Sequence, residues 1–423
     1  MAVEFKQSVL PSGLRICAEV DPAAHTASVG FFVRTGARDE ATSVMGVSHF
    51  LEHMMFKGSD KRSAAEVNEH FDAIGAQSNA YTSSEMTAFH ASVLPEVLPH
   101  ATEILSDIMR PALRTADFDT EKGVILEEIA MYADEPMWVL YEQLIEEHFG
   151  SRSELSHRVL GTPQTITDLT ALQMREYFDR RYSADNTTVA MAGKLDFEAM
   201  VAHISQLCGH WDRTQAQRTH DLPAARNVNF ELRDSKVSRG YRMSMSRGPG
   251  MTSDERYAAF CAAQLLGGGE NSLLHWALVE PGIAESAEAG YDPHDGFGTA
   301  RIFVASEPEN LERAWSIACR QAEKIMSLVR ARDLEQIKTR AATGVVIAGE
   351  KPGGRMHRLG RLFMYSDVYT TLEEELAKIN AVTLDAVARS LAKYPLLPAT
   401  IGTLLPAVAG AETAAVPSYQ TAK

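Results

Sequence analysis

His49 and His53 stand four residues apart in the run GVSHFLEHMMFKG, Gly46 to Gly58, and Glu52 directly precedes the second histidine. On a helix, positions i and i+4 lie about 40° apart around the axis, so both imidazoles project from one face, one turn apart. That spacing supplies two ligands to a tetrahedral zinc ion. Glu52 falls one residue aside, near the open coordination position, where a carboxylate takes a proton from water rather than binding the metal. An HxxxH pair on an apolar face is more often a pair of core histidines. The glutamate shifts that balance, because a buried carboxylate without a partner is costly.

A third ligand has to come from elsewhere in the chain. The segment DTEKGVILEEIAMYADE, Asp119 to Glu135, reads as a helix rich in acids. Glu128 is the choice within it. Its i±3 and i±4 neighbours Val124, Ile125, Met131 and Tyr132 are apolar or aromatic, so its face is expected to turn inward, whereas Glu127 has Gly123 and Ala130 among its neighbours. Glu121, seven residues before Glu128 on the same face, is placed to hold His49 or His53 from behind and fix its tautomer.

The elements that must position these residues follow an α+β pattern. Strands are expected in LRICAEVD, TASVGFFVRTG, TAFHASVL, NTTVAMAGKL and ATIGTLL, with long helical stretches between them. The order strand, Pro-Glu, long helix, second helix occurs in FHASVLPEVLPHATEILSDIMRPALRTADFDTEKG and again in RIFVASEPENLERAWSIACRQAEKIMSLVRARDLEQIKTR. This internal repeat predicts two homologous halves, each an antiparallel sheet flanked by helices, facing each other across a cleft. The expected domains are residues 1–213 and 230–405, with a linker at 214–229 and a flexible tail at 406–423. Only the first half carries the cluster: the matching helix of the second reads ERYAAFCAAQLLGGG, and placing Asp117 opposite Asp333 sets Glu128 opposite Gly344.

Three stretches, HFLEHMMFKG, NAYTSSEMTAF and EKGVILEEIAMY, make the chain resemble the M16 (pitrilysin, insulinase or inverzincin) zinc peptidases, in which an HxxEH helix reverses the usual HExxH order. In length and layout it is most similar to the subfamily of mitochondrial processing peptidase β subunits and their bacterial relatives. The resemblance implies one zinc ion per chain on His49, His53 and Glu128, Glu52 as the base and Glu121 as a supporting acid. It implies a metalloendopeptidase acting on unfolded peptides or short polypeptides, as a homodimer or with a related chain. It also implies that SNAYTSSEM is an edge strand taking substrate as an added strand near Asn79, Ala80 and Tyr81.

The second half departs from the family pattern. Active relatives carry an arginine and a tyrosine that help hold the scissile carbonyl. In GGGENSLLHWALVEPGIAESAEAGY, Leu278 or Val279 falls near the arginine position and Glu285 at the tyrosine position, with Tyr291 and Arg301 nearby. Loss of one such donor costs about 10²–10³ in rate, so either slow turnover or a weakly active, peptide-binding partner subunit is the alternative expectation.

Composition excludes other classes. A formal charge of −15 argues against a nucleic-acid partner. Cys17, Cys208, Cys261 and Cys319 lack CxxC spacing and the N-terminus lacks a signal-peptide pattern, which predicts free thiols and a cytoplasmic location. The uncharged stretch from Tyr394 to Ala411 is broken by Pro395, Pro398 and Pro406, so no membrane span is expected. GVVIAGEKPGG has the wrong glycine spacing for a phosphate-binding loop. His90, His148, His157 and His294 are expected to be surface or satisfied core histidines.

Overall fold

The computed structural model describes residues 3–407, which form two compact units. The first is built on a six-stranded sheet of β1 (Glu4–Val9), β2 (Arg15–Val20), β3 (Ala27–Val33), β4 (Gln77–Thr82), β5 (Thr87–Val93) and β6 (Thr187–Gly193), in the order β1-β2-β6-β3-β5-β4. Only β2 and β6 pair in parallel. β3 is buried along its whole length, and its sequence ASVGFFV is apolar almost throughout because helices cover both faces of the sheet there. One of them, Pro352–Tyr365, comes very close: a Cβ on its Gly360 would lie 2.2 Å from the ring of Phe32. Met356, Leu359 and Phe363 of that helix close a core with Phe32, Ala88, Ala190 and Ala192. β4 ends the sheet as an edge strand with Gln77, Ser78, Asn79 and Tyr81 exposed.

The second unit has a five-stranded sheet of β7 (Asn229–Asp234), β8 (Gly240–Gly248), β9 (Ser286–Pro293), β10 (Gly298–Ser306) and β11 (Thr400–Pro406), in the order β7-β11-β8-β10-β9. Matching β7 to β2 and continuing in chain order gives the strand order of the first sheet without β1, including the one parallel pair, β7 with β11. Helices Glu255–Gly267 and Leu311–Leu328 pack around one core, and Pro136–Phe149 contributes Leu140 and Leu144 to another with Met243, Phe303 and Leu404.

The units are not contiguous in sequence. The first comprises residues 1–129, 157–219 and 346–370, and the second takes 130–156, 220–345 and the chain from 371 on. The division at 219/220 falls within the expected linker, where no helix or strand forms between Cys208 and Asn229. The further crossings arise because Pro136–Phe149 completes the second unit's core and Pro352–Tyr365 the first's. Periodicity shows that each helix has an apolar stripe but not which sheet receives it. ATIGTLL is the strand β11, and among the described residues no helix is long and apolar enough to cross a membrane. The tail expected at 406–423 lies, beyond Ala407, outside the described residues.

Candidate metal centre

The helix Val47–Met55 begins at Gly46, whose φ of 93° is left-handed and whose Cβ, if present, would lie 2.7 Å from the Leu160 carbonyl oxygen. Its first amides are held by an acid far upstream: the Glu40 carboxyl accepts from the backbone N–H of Gly46 and of Ser48, each at 2.7 Å. Burial pushes Glu40 up to about 8, while those two hydrogen bonds favour its charged form. Below the helix, the Tyr177 hydroxyl bonds Ser48 Oγ and Thr35 Oγ1 at 2.7 Å each. Arg181 reaches Thr35 Oγ1 at 3.1 Å and pairs with Asp39 at 2.7 Å. These bonds fix the helix in rotation, which decides where its histidines point.

His49, Glu52 and His53 sit on one side of this helix with the rings of His49 and His53 4.7 Å apart. Glu128 arrives from the helix Thr115–Tyr132, its Oε2 lying 3.7 Å from Nε2 of His49 and 3.7 Å from Nε2 of His53. One ligand atom from each of the three falls within 4.8 Å of the others. A separation of 3.7 Å is too long for a hydrogen bond but close to the ~3.3 Å between two ligands held about 2 Å from one tetrahedral ion. The donor chemistry agrees. Burial, reinforced by the neighbouring His53, drives His49 down to about 3, so its imidazole is neutral and has a lone pair to give. Its Nδ1 is buried with no hydrogen-bond partner among the described residues. Two imidazoles and one carboxylate leave a fourth position open, so the residues fit a catalytic rather than a closed structural zinc site.

Glu121 bonds His53 Nδ1 at 2.9 Å and pairs with Lys57, which settles the choice between the two histidines in favour of His53. Burial alone would raise Glu121, but the hydrogen bonds and charges of Lys57 and His53 outweigh it and hold the acid below the usual carboxylate range. A carboxylate on Nδ1 leaves Nε2 of His53, the nitrogen that faces Glu128, available to a metal. Glu52 is raised, first by burial and also by Glu128, against the pull of Thr82 and His53. The Thr82 hydroxyl donates to Glu52 Oε2 at 2.5 Å and so ties the acid to the edge strand. On that strand Ala80 N–H is capped by Asn79 Oδ1 at 2.9 Å, and Tyr81 is 36% exposed.

The geometry corrects the reasoning that selected Glu128. Of the four neighbours expected to turn inward, Ile125 is buried, but Val124 is 44% and Met131 60% exposed. The helix is amphipathic in the narrow sense that one stripe of Phe118, Glu121, Ile125 and Ile129 is buried. Glu128 lies at the edge of that stripe and Glu127 outside it, exposed. His90 is not isolated either: its ring meets that of His357 at 4.5 Å, and the partner could not be read locally because it comes from the helix Pro352–Tyr365. Thr82 and Glu40 gave no signal as site residues. Thr82 differs from its polar neighbours only by facing Glu52, and Glu40 acts across a turn with no capping-box spacing.

In the second unit the helix Glu255–Gly267 carries no histidine, and a Cβ on Gly344 would meet nothing within 4 Å among the described residues. Val279 packs against the apolar core and Glu285 pairs with Arg239 at 3.1 Å. Tyr291 donates to the Pro249 carbonyl at 2.5 Å, and Arg301 pairs with Asp292 at 2.5 Å.

The chain is similar to known proteins in sequence and in fold. Residues 15–162 match Insulinase (Peptidase family M16), and residues 168–341 match the Peptidase M16 inactive domain. An uncharacterized zinc protease of Mycobacterium tuberculosis is 31% identical over 408 residues, covering 92% of this chain and 91% of the relative. The uncharacterized zinc protease YmxG of Bacillus subtilis is 26% identical over 389 residues, covering 90% and 94%. A protease from Helicobacter pylori has the same fold, with a TM-score of 0.87 at 17% identity over 95% of this chain and 100% of that one. So does the peptidase M16 inactive domain from Pseudomonas fluorescens, at 0.86 and 16% over 97% and 100%. With its HxxEH helix, its paired sheets of one strand order and relatives matching over nearly its whole length, the chain belongs to the insulinase family, peptidase family M16.

Proposed function

We propose that the chain is a zinc metalloendopeptidase that hydrolyses unfolded peptides or short polypeptides, with one zinc ion per chain held by His49, His53 and Glu128. The convergence of those three side chains beside a raised, immobilised Glu52 carries the reading. The relatives named as zinc proteases support the choice of metal. Zinc bound there supplies a Lewis acid that polarises a carbonyl and acidifies water. Glu52 takes the proton from the attacking water and passes it to the leaving amine, a task suited to a carboxyl raised towards neutrality by burial. Glu121 keeps the His53 ring aligned. The edge of β4 at Asn79, Ala80 and Tyr81 receives the substrate as an extra strand, Asn79 Oδ1 giving up the Ala80 N–H to a substrate carbonyl. We place the chain in the cytoplasm, consistent with four cysteines that form no disulfide, as a homodimer or with a related chain.

A second reading, a peptide-binding partner subunit with little turnover, is favoured by one observation. Leu278 or Val279 falls near the arginine position that the family resemblance implies and Glu285 at its tyrosine position, and Tyr291 and Arg301 nearby are already engaged. Incubating the purified chain with an unstructured peptide library separates the two. Cleavage that a chelator abolishes and zinc restores supports the peptidase. Zinc-loaded chain that binds peptides and leaves them intact supports the partner subunit.

A further inference from the structure

We propose that the second unit holds a separate ligand site, for a carboxylate carried next to an apolar side chain, as at the C-terminus of a peptide. A cavity of about 410 Å³ opens there among the end of the helix Glu255–Gly267, the π-helical turn His275–Val279 and the start of the helix Ala331–Glu350. That volume suits a small ligand or a few residues of peptide. Leu265 and Ile337 give it a buried apolar floor, while Trp276, 59% exposed, and Leu328, 42% exposed, stand at its walls. An aromatic ring of that size left in water is unusual unless something covers it.

Three arginines, Arg330, Arg332 and Arg340, line the same cavity. Asp333, also in the wall, lies 3.4 Å from Arg332 Nε and accepts the backbone N–H of Arg330 at 2.8 Å. It therefore balances one guanidinium. The side chains of Arg330 and Arg340 have neither hydrogen bond nor ion pair among the described residues. In a chain with a formal charge of −15, two unneutralised cations over an apolar floor form a local inversion of sign that attracts an anion.

Comparison with the first unit shows that this is a rebuilt place rather than a generic surface. With Asp117 set against Asp333, Arg330 corresponds to Arg114, whose guanidinium is occupied by the carbonyls of Lys57 and Ser59 at 3.3 and 2.6 Å. Glu121, the acid behind His53, becomes Ile337, and Val124 becomes Arg340. An acid has been removed and a base added around one cavity. Guanidinium forks bind carboxylate and phosphate alike, but phosphate has nothing to offer Trp276 and the leucines. A terminal carboxylate with a bulky apolar side chain uses both parts of the site.

The test uses the full chain kept metal-free with a chelator, so it is independent of peptidase activity. Acetyl-Ala-Ala-Phe with a free carboxylate is titrated by calorimetry and by tryptophan fluorescence, beside the same peptide as its amide and inorganic phosphate. The acid is expected to bind at least about tenfold tighter than the amide or phosphate. Arg330→Ala and Arg340→Ala, both at exposed positions, each weaken it by about tenfold or more, and Trp276→Phe removes the fluorescence change but not the heat. Arg320→Ala, an exposed arginine outside the cavity, leaves binding as it was. Equal binding of acid and amide, phosphate binding as tightly as the peptide, or parental affinity in both arginine variants would overturn the proposal.

Discussion

The helices Val47–Met55 and Glu255–Gly267 hold corresponding positions in two units whose sheets share one strand order, yet one presents His49, Glu52 and His53 and the other Tyr257, Phe260 and Cys261 to the core. The partner helices differ in the same way: Thr115–Tyr132 delivers Glu121 and Glu128, and Ala331–Glu350 has Ile337 and Gly344 in their places. A repeated scaffold has kept its packing while its chemistry went separate ways. Strand order and helix position are set by apolar patterning, which tolerates an exchange of polar groups on one face. Metal chemistry instead depends on a handful of side chains, of which His53 is held by Glu121 and Glu52 by Thr82.

The comparison breaks hardest at the ligands. His49→Ala, His53→Ala and Glu128→Gln are each expected to bring zinc occupancy close to zero after dialysis against a competing chelator, measured as metal per chain. Glu127→Gln, altering an exposed neighbour, leaves it at the parental value. If Glu127 is the sensitive position, the register assigned to the helix is wrong.

A smaller effect is expected behind the ligands. Glu121→Gln keeps the shape but loses the charge that pairs with Lys57 and orients His53, and zinc affinity should fall about 10–100-fold in competition titrations. Unchanged affinity would reduce Glu121 to a structural ion pair.

Glu40 sharpens the contrast through pH. Its native value is raised by burial to about 8 from an ordinary 4.5, so the native state holds the proton more tightly than the unfolded one. That contribution is complete below 4.5 and is lost as pH rises through about 8. Thermal melting of the metal-free chain should therefore show a loss of stability between about pH 4.5 and 8 that Glu40→Gln flattens. A parallel pH profile in the variant would contradict the assignment.

The smallest effect lies in the second unit. Gly344 is exposed inside a helix with open space at its Cβ, so Gly344→Ala should stabilise by about 1 kcal/mol in denaturant melts. Gly344→Glu restores the acid but should bind no zinc, because no histidines face it. Zinc uptake by that variant would show that the second unit retains more of a site than its residues suggest.

The HxxEH helix could be read from sequence because its ligands are one turn apart and periodicity fixes their common face. Glu128, 75 residues beyond His53, lies beside the two histidines, although the inward-facing argument for it holds for Ile125 and fails for Val124 and Met131. The repeat was legible in the order of strands and helices, since each carries its own period. Contacts made across sequence were not: Thr82 on Glu52, Glu40 under Gly46, and His357 on His90 depend on which strand lies at the edge and which helix covers which sheet. The interleaving of the units belongs to the same class, because an apolar stripe does not name its partner.

The central claim is that Glu52 performs chemistry at a site built by three other residues. Glu52→Gln, assayed for zinc content and for cleavage of an unstructured peptide on the same preparation, tests it most directly. The account predicts zinc at the parental level and cleavage reduced by about 10²–10⁴-fold, the usual contribution of a general base. Parental cleavage by zinc-loaded Glu52→Gln would contradict it.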